Sequence, residues 1–452
     1  VVGGNKEFKH YAYHGYYALD FTTLDRNMGT PEELRELIDT AHEQGIRILF
    51  DVVMNHPGYL DIQSARDLRI DVLWKGSEAA TLNDYHGFID YNRDRKKWAR
   101  WWGGAWTRSG LPGYANEGKT DFTKQLAYLP DFRTESPDFV KLPPFLRDKQ
   151  DSHAVELSRA TVRDYLVSWL SAWVRDYGVD GFRCDTVKHV EPEAWAQLKQ
   201  TSAKALAEWK EANPAKKIDD EPFWMVGEYW GQDTAPSELY AHGFDAMINF
   251  DFQERLLTNQ PLESVYAGYA RALAGTPGYN VLSYLSSHDT RLFARDRLYE
   301  AANALLLAPG GVQIFYGDES GRQPGPAPAS DAQQATRSDM NWTSLDEPLL
   351  EHWRRLGQFR ARHVALARGA HTQIQAEPYV FARTMADGSD RVLVAPALQG
   401  EVELPVGEVF AEGARLREAY SGEAVQVKGG KVKLQAKGSV LLEARLPDQG
   451  KE

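Results

Sequence analysis

Between positions 30 and 54 the chain switches from a helical to a strand-like pattern of apolar residues. Thr30-Pro31-Glu32-Glu33 reads as an N-cap, a proline at the first helical position and a capping-box glutamate. Leu34, Leu37, Ile38 and Ala41 follow at helical spacing and Gly45 ends the pattern, which predicts a helix of about four turns. Residues 46–54, IRILFDVVM, are β-branched and apolar, the composition of a strand buried on both faces. The alternation repeats. A helix carrying Leu166, Leu170 and Trp173 stops at Gly178 and feeds VDGFRCD; further strands are predicted at 223–228, 246–250, 281–287 and 312–316, with helical segments between them. Serial βα units imply a parallel sheet, and so many in series favour a closed (β/α)8 TIM barrel over an open sheet.

Two regions break this rhythm. Residues 57–151 are irregular and rich in Trp, Gly and Pro, too long for a plain loop, which predicts an inserted irregular subdomain. After about position 370 the segments YVFARTM, DRVLVAPAL and SVLLEARL alternate between turns, which predicts a C-terminal antiparallel β-domain. Residues 321–330, GRQPGPAPAS, form a Pro/Gly loop with no expected regular structure. The expected organisation is therefore a barrel in two parts, 1–56 and 152–370, an insert at 57–151 and a β-domain at 371–452.

Composition narrows the chemistry. A net charge of −12 on 452 residues repels nucleic acid and anionic lipid. No apolar run approaches the roughly 20 residues needed to span a bilayer. The only cysteine, Cys184, excludes an internal disulfide and any Cys-based zinc site, and it reads as a small buried hydrophobe. Aromatic residues are abundant, and for the tryptophans at 98, 101, 102 and 106 two readings stand equally, subdomain core and sugar-stacking wall.

Barrel enzymes carry their chemistry at the C-terminal ends of strands. Here the strand ends read Asp51 with Asn55-His56, Arg183-Cys184-Asp185 continuing to Lys188-His189, Glu228, and Ser287-His288-Asp289. Alternation sends Arg183 and Asp185 to one face and Cys184 to the other. One carboxylate at a strand end is more often a cap or a surface ion pair, and a lone histidine is usually just hydrogen-bonded. The conjunction at four ends points instead to Asp185, Glu228 and Asp289 converging with Arg183, His56 and His288. That is equipment for glycoside chemistry, which needs one ionised carboxylate and a second held protonated.

The segments DVVMNH (51–56), LPDF (129–132), GFRCDTVKH (181–189), GEYW (227–230) and SSHDT (286–290) together resemble the α-amylase superfamily, glycoside hydrolase family 13. YAYHGYY (11–17), VQIFYGDES (312–320) and RSDMNW (337–342) extend the resemblance, which is nearest to the periplasmic α-amylases of Gram-negative bacteria. It implies an endo-acting, retaining α-1,4-glucan hydrolase, with Asp185 as nucleophile, Glu228 as general acid/base and Asp289 as the carboxylate that clamps sugar hydroxyls. It places His14, Tyr16, His56, Arg183 and His288 around the sugar at the cleavage point, and Lys188 and the His189 side chain on the leaving-group side. It implies a structural Ca²⁺ held by Asn55, Asp131 and the His189 carbonyl, with Asp121 a weaker fourth ligand; hard oxygen donors suit Ca²⁺ rather than Zn²⁺. Ser287 stands where chloride-activated relatives carry Asn, so no chloride dependence is expected. A monomer acting on starch and maltodextrins, periplasmic or secreted, follows from the same resemblance. A transglycosylase or isomerase of the superfamily, or a non-catalytic glucan-binding relative, are the alternatives, and three intact carboxylates argue against the last. The family's first two barrel strands belong upstream of YAYHGYY, where only about ten residues stand, so strands 1 and 2 are expected to be absent from this chain. They would then lie in a longer precursor or come from another polypeptide.

Overall fold

The computed structural model describes residues 2–4, 9–11, 14–58, 102–108, 118–124, 126, 129–327 and 329–444. Trp98 and Trp101 lie outside the described residues. The chain divides into two compact units, Val1–Trp230 with Glu238–Ala246 and Gly231–Ser237 with Met247–Glu452.

The first unit opens on a short antiparallel pair, Val2–Gly4 with Lys9–Tyr11, and continues to helix α1 (Pro31–Glu43). Its capping box forms as the sequence predicts: Glu33 N donates to Thr30 Oγ1 at 3.2 Å and Thr30 N to Glu33 Oε2 at 2.8 Å. Strand β1 (Leu49–Val52) is shorter than the apolar run around it. The expected burial on both faces is not met, because Ile46 is 57 % and Leu49 38 % exposed. Among the described residues β1 is paired to β2 (Gly181–Cys184). Between them, α2 (Val162–Tyr177) starts on a Thr161/Asp164 capping box and stops at Gly178. That glycine is required twice over: its φ is +77°, and a Cβ there would lie 2.4 Å from the Trp209 ring. Helix α3 (Pro192–Ala212) carries Trp209 and leads to β3 (Trp224–Gly227). The three strands run parallel in the order β1-β2-β3, with Leu49 opposite Gly181 and Cys184 opposite Gly227.

The inserted region contributes a short antiparallel pair, Thr107–Arg108 with Asp131–Phe132. Trp102 and Trp106 are core residues: both are buried and pack with Phe132 and Trp169 at ring-centroid distances of 5.0–6.4 Å, and Phe21 and Phe145 close over Trp102. For these two, burial removes the sugar-wall reading.

The second unit takes all but the first residue of β4 (Ala246–Asn249) and continues through α4 (Asp251–Leu257), α5 (Leu262–Ala274), β5 (Val281–Tyr284), α6 (Leu298–Leu306) and β6 (Gly311–Gln313). Strands β4, β5 and β6 are again parallel and sequential, with Met247 opposite Val281 and Ser283 opposite Val312. β6 ends early relative to the expected 312–316, and Ile314 and Tyr316 beyond it are exposed. Helices α7 (Glu347–Arg362) and α8 (Val364–Arg368) precede the C-terminal sheet. Its strands are β7 (Ala370–Gln375), β8 (Val380–Thr384), β9 (Arg391–Pro405), β10 (Arg415–Glu418), β11 (Ala424–Gln426) and β12 (Lys431–Ala444). They pair antiparallel in the order β7-β8-β9-β12-β10-β11. Alternation along β12 buries Val432, Leu434 and Ala436 and exposes Lys433 and Gln435 between them, the pattern of a half-buried sheet. No helix among the described residues is long and apolar enough to cross a membrane.

Candidate active site

In the first unit, the ends of β1, β2 and β3 bring the predicted residues together because each strand is bonded to its neighbour one residue past its own end. Asp185 N donates to Val52 O and Glu228 N to Cys184 O, both at 2.9 Å. Parallel register thus sets Asp185 and Glu228 on adjacent strand ends. The turn after Asp185 puts Thr186 at φ +49°, an uncommon conformation for a β-branched residue. It aims the Thr186 N–H at Glu228 Oε2, 3.1 Å away, and Val187 N donates to the Glu228 carbonyl at 3.0 Å.

Arg183 ties the cluster. Its Nη1 donates to Asp185 Oδ1 at 2.8 Å and to Asp51 Oδ1 at 2.9 Å, while Nη2 lies 3.3 Å from Glu228 Oε2. Burial works against the guanidinium charge, but Asp51, Glu228 and Asp185 outweigh it and hold Arg183 charged. Cys184, on the opposite face as alternation predicts, is fully buried, and burial pushes its thiol far up, so it packs and does not react.

Asp51 is a site residue that the sequence reading passed over as a candidate. Besides Arg183 it accepts the Tyr16 hydroxyl on Oδ2 at 2.6 Å. Its side chain is 40 % exposed, yet the crowded surroundings desolvate the carboxylate and push its carboxyl up, with Arg183 opposing. Desolvation likewise pushes the Tyr16 phenol up, with Asp51 adding to it, so Tyr16 stays a neutral donor. Its position at the end of a predicted strand was the available signal. His14 accepts from Tyr16 N at 3.1 Å and lies parallel to the Tyr16 ring at 5.6 Å. His56 is buried, which lowers its pKa against the pull of Asp185 and keeps it neutral. Lys188 lies 5.9 Å over the Tyr229 ring. Burial also lowers the His189 pKa, and its Nδ1 is 2.9 Å from the Asp121 carbonyl.

The expected cation ligands also meet within this unit. One end of the Asn55 amide lies 3.1 Å from both Asp131 Oδ1 and the His189 carbonyl; the other is 3.1 Å from His56 Nδ1. If the amide nitrogen faces Asp131 it donates to both oxygens. If His56 Nδ1 is unprotonated it accepts from Asn55, the amide oxygen turns inward, and three oxygens face one another with no proton between them. A hard cation satisfies that arrangement, so the residues present fit Ca²⁺. Asp131 is pushed up to about 7 by burial, opposed by Arg108, whose Nη1 is 2.7 Å from Oδ2. Among the described residues no three His, Cys, Asp or Glu side chains are placed to hold a metal ion, so a cation here draws on amide and carbonyl oxygens as well. The contact seen for Asp121 is through its carbonyl to His189.

In the second unit, Asp289 and His288 follow β5. His288 Nε2 is 2.8 Å from Asp289 Oδ2, and Arg337 Nη2 donates to Asp289 Oδ1 at 2.9 Å. The Ser287 hydroxyl accepts from Asp289 N at 3.1 Å and Thr290 N at 3.3 Å, which shapes the turn. Arg337 was not singled out from the sequence, since no spacing signal links it to a residue 48 positions earlier.

Comparison with known proteins agrees with these motifs. The family model described as alpha amylase, catalytic domain, matches residues 7–140 and 145–348. The chain is 48 % identical over 422 residues to the periplasmic alpha-amylase of Escherichia coli (strain K12), which covers 88 % of this chain and 62 % of that protein. It is 26 % identical over 510 residues to an alpha-amylase of Streptomyces lividans, covering 96 % of this chain and 52 % of the relative. The chain thus spans between about half and two thirds of the length of these relatives. Among solved structures, the alpha-amylase of Geobacillus thermoleovorans complexed with acarbose aligns at a TM-score of 0.62 and 18 % identity, over 96 % of this chain and 85 % of that one. An Anoxybacillus alpha-amylase aligns at 0.60 and 21 %, over 96 % and 84 %. These likenesses show the fold that the sequence predicts, a (β/α)8 barrel followed by an antiparallel β-domain.

Proposed function

The chain belongs to the α-amylase catalytic-domain family, and from that premise we propose that it is an endo-acting, retaining α-1,4-glucan hydrolase that cleaves starch and maltodextrins. The observation that carries the proposal is the Arg183 guanidinium, shared by Asp185 at 2.8 Å and Glu228 at 3.3 Å. Two carboxylates drawn to one guanidinium are compatible with the short-separation arrangement, and the retaining outcome itself is carried over from the family. Asp185 attacks the anomeric carbon as the glycosidic bond breaks, forming a covalent glycosyl ester. Glu228 gives its proton to the departing oxygen and then takes one from the water that cleaves the ester. Thr186 N–H holds Glu228 Oε2, so the proton is carried by a carboxyl of defined orientation. Asp289 clamps sugar hydroxyls and stabilises positive charge at the ring; His14, Tyr16, His56 and His288 surround the sugar, and Lys188 and His189 meet the leaving group.

Ca²⁺ is the cation that Asn55, Asp131 and the His189 carbonyl would hold. When bound it cross-links three chain segments and takes no part in bond breaking. A periplasmic or secreted location agrees with the E. coli relative, which is named periplasmic, and the protein is proposed to act as a monomer.

A proton NMR time course of maltoheptaose tests the function. New α-anomeric reducing ends before mutarotation, on shorter maltodextrins, are expected for the wild type, and none for Glu228→Gln at an unchanged circular dichroism spectrum. Longer chains or new linkages would move the protein to the transglycosylase reading, and near-normal turnover by Glu228→Gln would remove the acid/base assignment.

A further inference from the structure

We infer that Arg337 is a positioning residue for the reaction, acting through Asp289; the inference rests on the hydrolase reading and deepens it. The two oxygens of Asp289 have separate partners, Oδ1 the Arg337 guanidinium at 2.9 Å and Oδ2 the His288 ring at 2.8 Å. A carboxylate held by one point contact swings about its last torsion, which is broad. One held at both oxygens has its plane set. Each oxygen accepts more than one hydrogen bond, so a sugar hydroxyl can be added with both partners kept.

The segment that delivers Arg337 is itself built to stay in place. It follows the Pro/Gly run as a 3₁₀ turn over Ala329–Arg337, which overlaps the 321–330 loop expected to lack regular structure only at 329 and 330. The Thr336 hydroxyl donates to the His288 carbonyl at 2.9 Å, so the segment grips the same turn through the backbone as Arg337 grips through the side chain. Arg322, only 1 % exposed, donates through Nη1 to the carbonyls of Thr336 at 3.1 Å and Ser338 at 3.2 Å. Arg322 lies in turn over the Tyr316 ring at 3.9 Å and donates to the Tyr316 carbonyl at 2.9 Å. A buried guanidinium that donates to two carbonyls flanking Arg337 is an anchor for that position, and it makes the Arg337 guanidinium a preorganised partner rather than a loose surface cation.

A hydrogen-bond network around Ser286 supports the same turn. Ser286 donates to Asp318 at 2.7 Å and accepts from Phe293 N at 2.9 Å and Arg295 Nη2 at 3.0 Å. That network fixes the backbone before Asp289. It leaves the carboxylate plane to Arg337 and His288.

The test is steady-state hydrolysis of maltoheptaose by the wild type, Arg337→Ala and Arg337→Lys, with melting temperatures in parallel. Misplacing a reacting group by about 1 Å costs on the order of 100-fold, so kcat of the Ala variant should fall about 10- to 100-fold with KM changed less. Millimolar guanidinium should restore part of kcat to Arg337→Ala, and sodium chloride at the same ionic strength should not. Lys, a point charge without the planar fork, should recover only part. Unchanged kcat/KM in Arg337→Ala overturns the inference, as does a loss matched by the unfolded fraction and unaffected by guanidinium. If the Ala variant does not fold, the Lys variant decides: lower kcat at an unchanged melting temperature supports the role, and wild-type kcat overturns it. A wild type that leaves maltoheptaose intact overturns the hydrolase reading and this inference with it, whereas an active wild type with an unaffected Ala variant overturns this inference alone.

Discussion

Replacing His363 with Phe should destabilise the second unit most strongly in mildly acidic solution. His363 sits at the junction of α7 and α8, with Nδ1 2.8 Å from Asp390 Oδ1 and Nε2 2.6 Å from Glu443 Oε2. Burial opposes its charge, but the bonds to Glu443 and Asp390 raise its pKa above the ordinary 6.5. Burial also works against the Glu443 carboxylate, yet His363 and Arg362 hold its pKa below 4.5. The raised histidine contributes stability that is complete below pH 6.5 and lost as pH rises through its folded-state value. The depressed carboxylate contributes above pH 4.5 and loses its share as pH falls. The clamp is therefore strongest between those limits.

Charge-assisted hydrogen bonds contribute roughly 1.5–3 kcal/mol each. The loss from removing two is less than their sum here, because Arg362 stays 3.2 Å and Arg417 3.5 Å from Glu443, and Ala365 N still donates to Asp390 at 2.8 Å. A cost of about 2–4 kcal/mol is expected near pH 6, or roughly 5–15 °C in melting temperature for a unit of this size. Phe keeps the ring contact with Phe359. Calorimetric melting of wild type and variant from pH 5 to pH 9 checks this, since the difference cancels groups remote from the substitution. The gap should narrow at alkaline pH. A gap of constant size from pH 6 to pH 9, or one that widens, would refute the reasoning.

Two further outcomes test the first unit. Chelation with EDTA should lower the melting temperature, by an amount equivalent to about 2.7 kcal/mol if the solution had held Ca²⁺ at 100 times its dissociation constant; an unchanged transition would remove the cation from Asn55, Asp131 and His189. Trp102→Ala should cost about 3–5 kcal/mol in urea unfolding, because the indole is only 2 % exposed among Phe21, Trp106, Phe132, Phe145 and Trp169. A cost below about 1 kcal/mol would mean that the cluster is not a packed core.

What the sequence determined by itself is local. The Thr30 and Thr161 capping boxes and the stop at Gly178 depend on residues three or four apart, so α1 and α2 could be read directly. The placement of Asp185 and Glu228 at strand ends was legible for a similar reason: each closes its own apolar run, and alternation alone separates Arg183 from Cys184. Tertiary structure decided whatever depends on which strand or loop lies alongside. Asp51 meets Tyr16 and Arg183 across 35 and 132 positions, and Arg337 meets Asp289 across 48, pairings that no periodicity encodes. Trp102 and Trp106 make the point for side chains: a tryptophan suits a core or a sugar-binding wall equally well, and only the rings of Phe132 and Trp169, brought in from distant segments, settle that these two are buried.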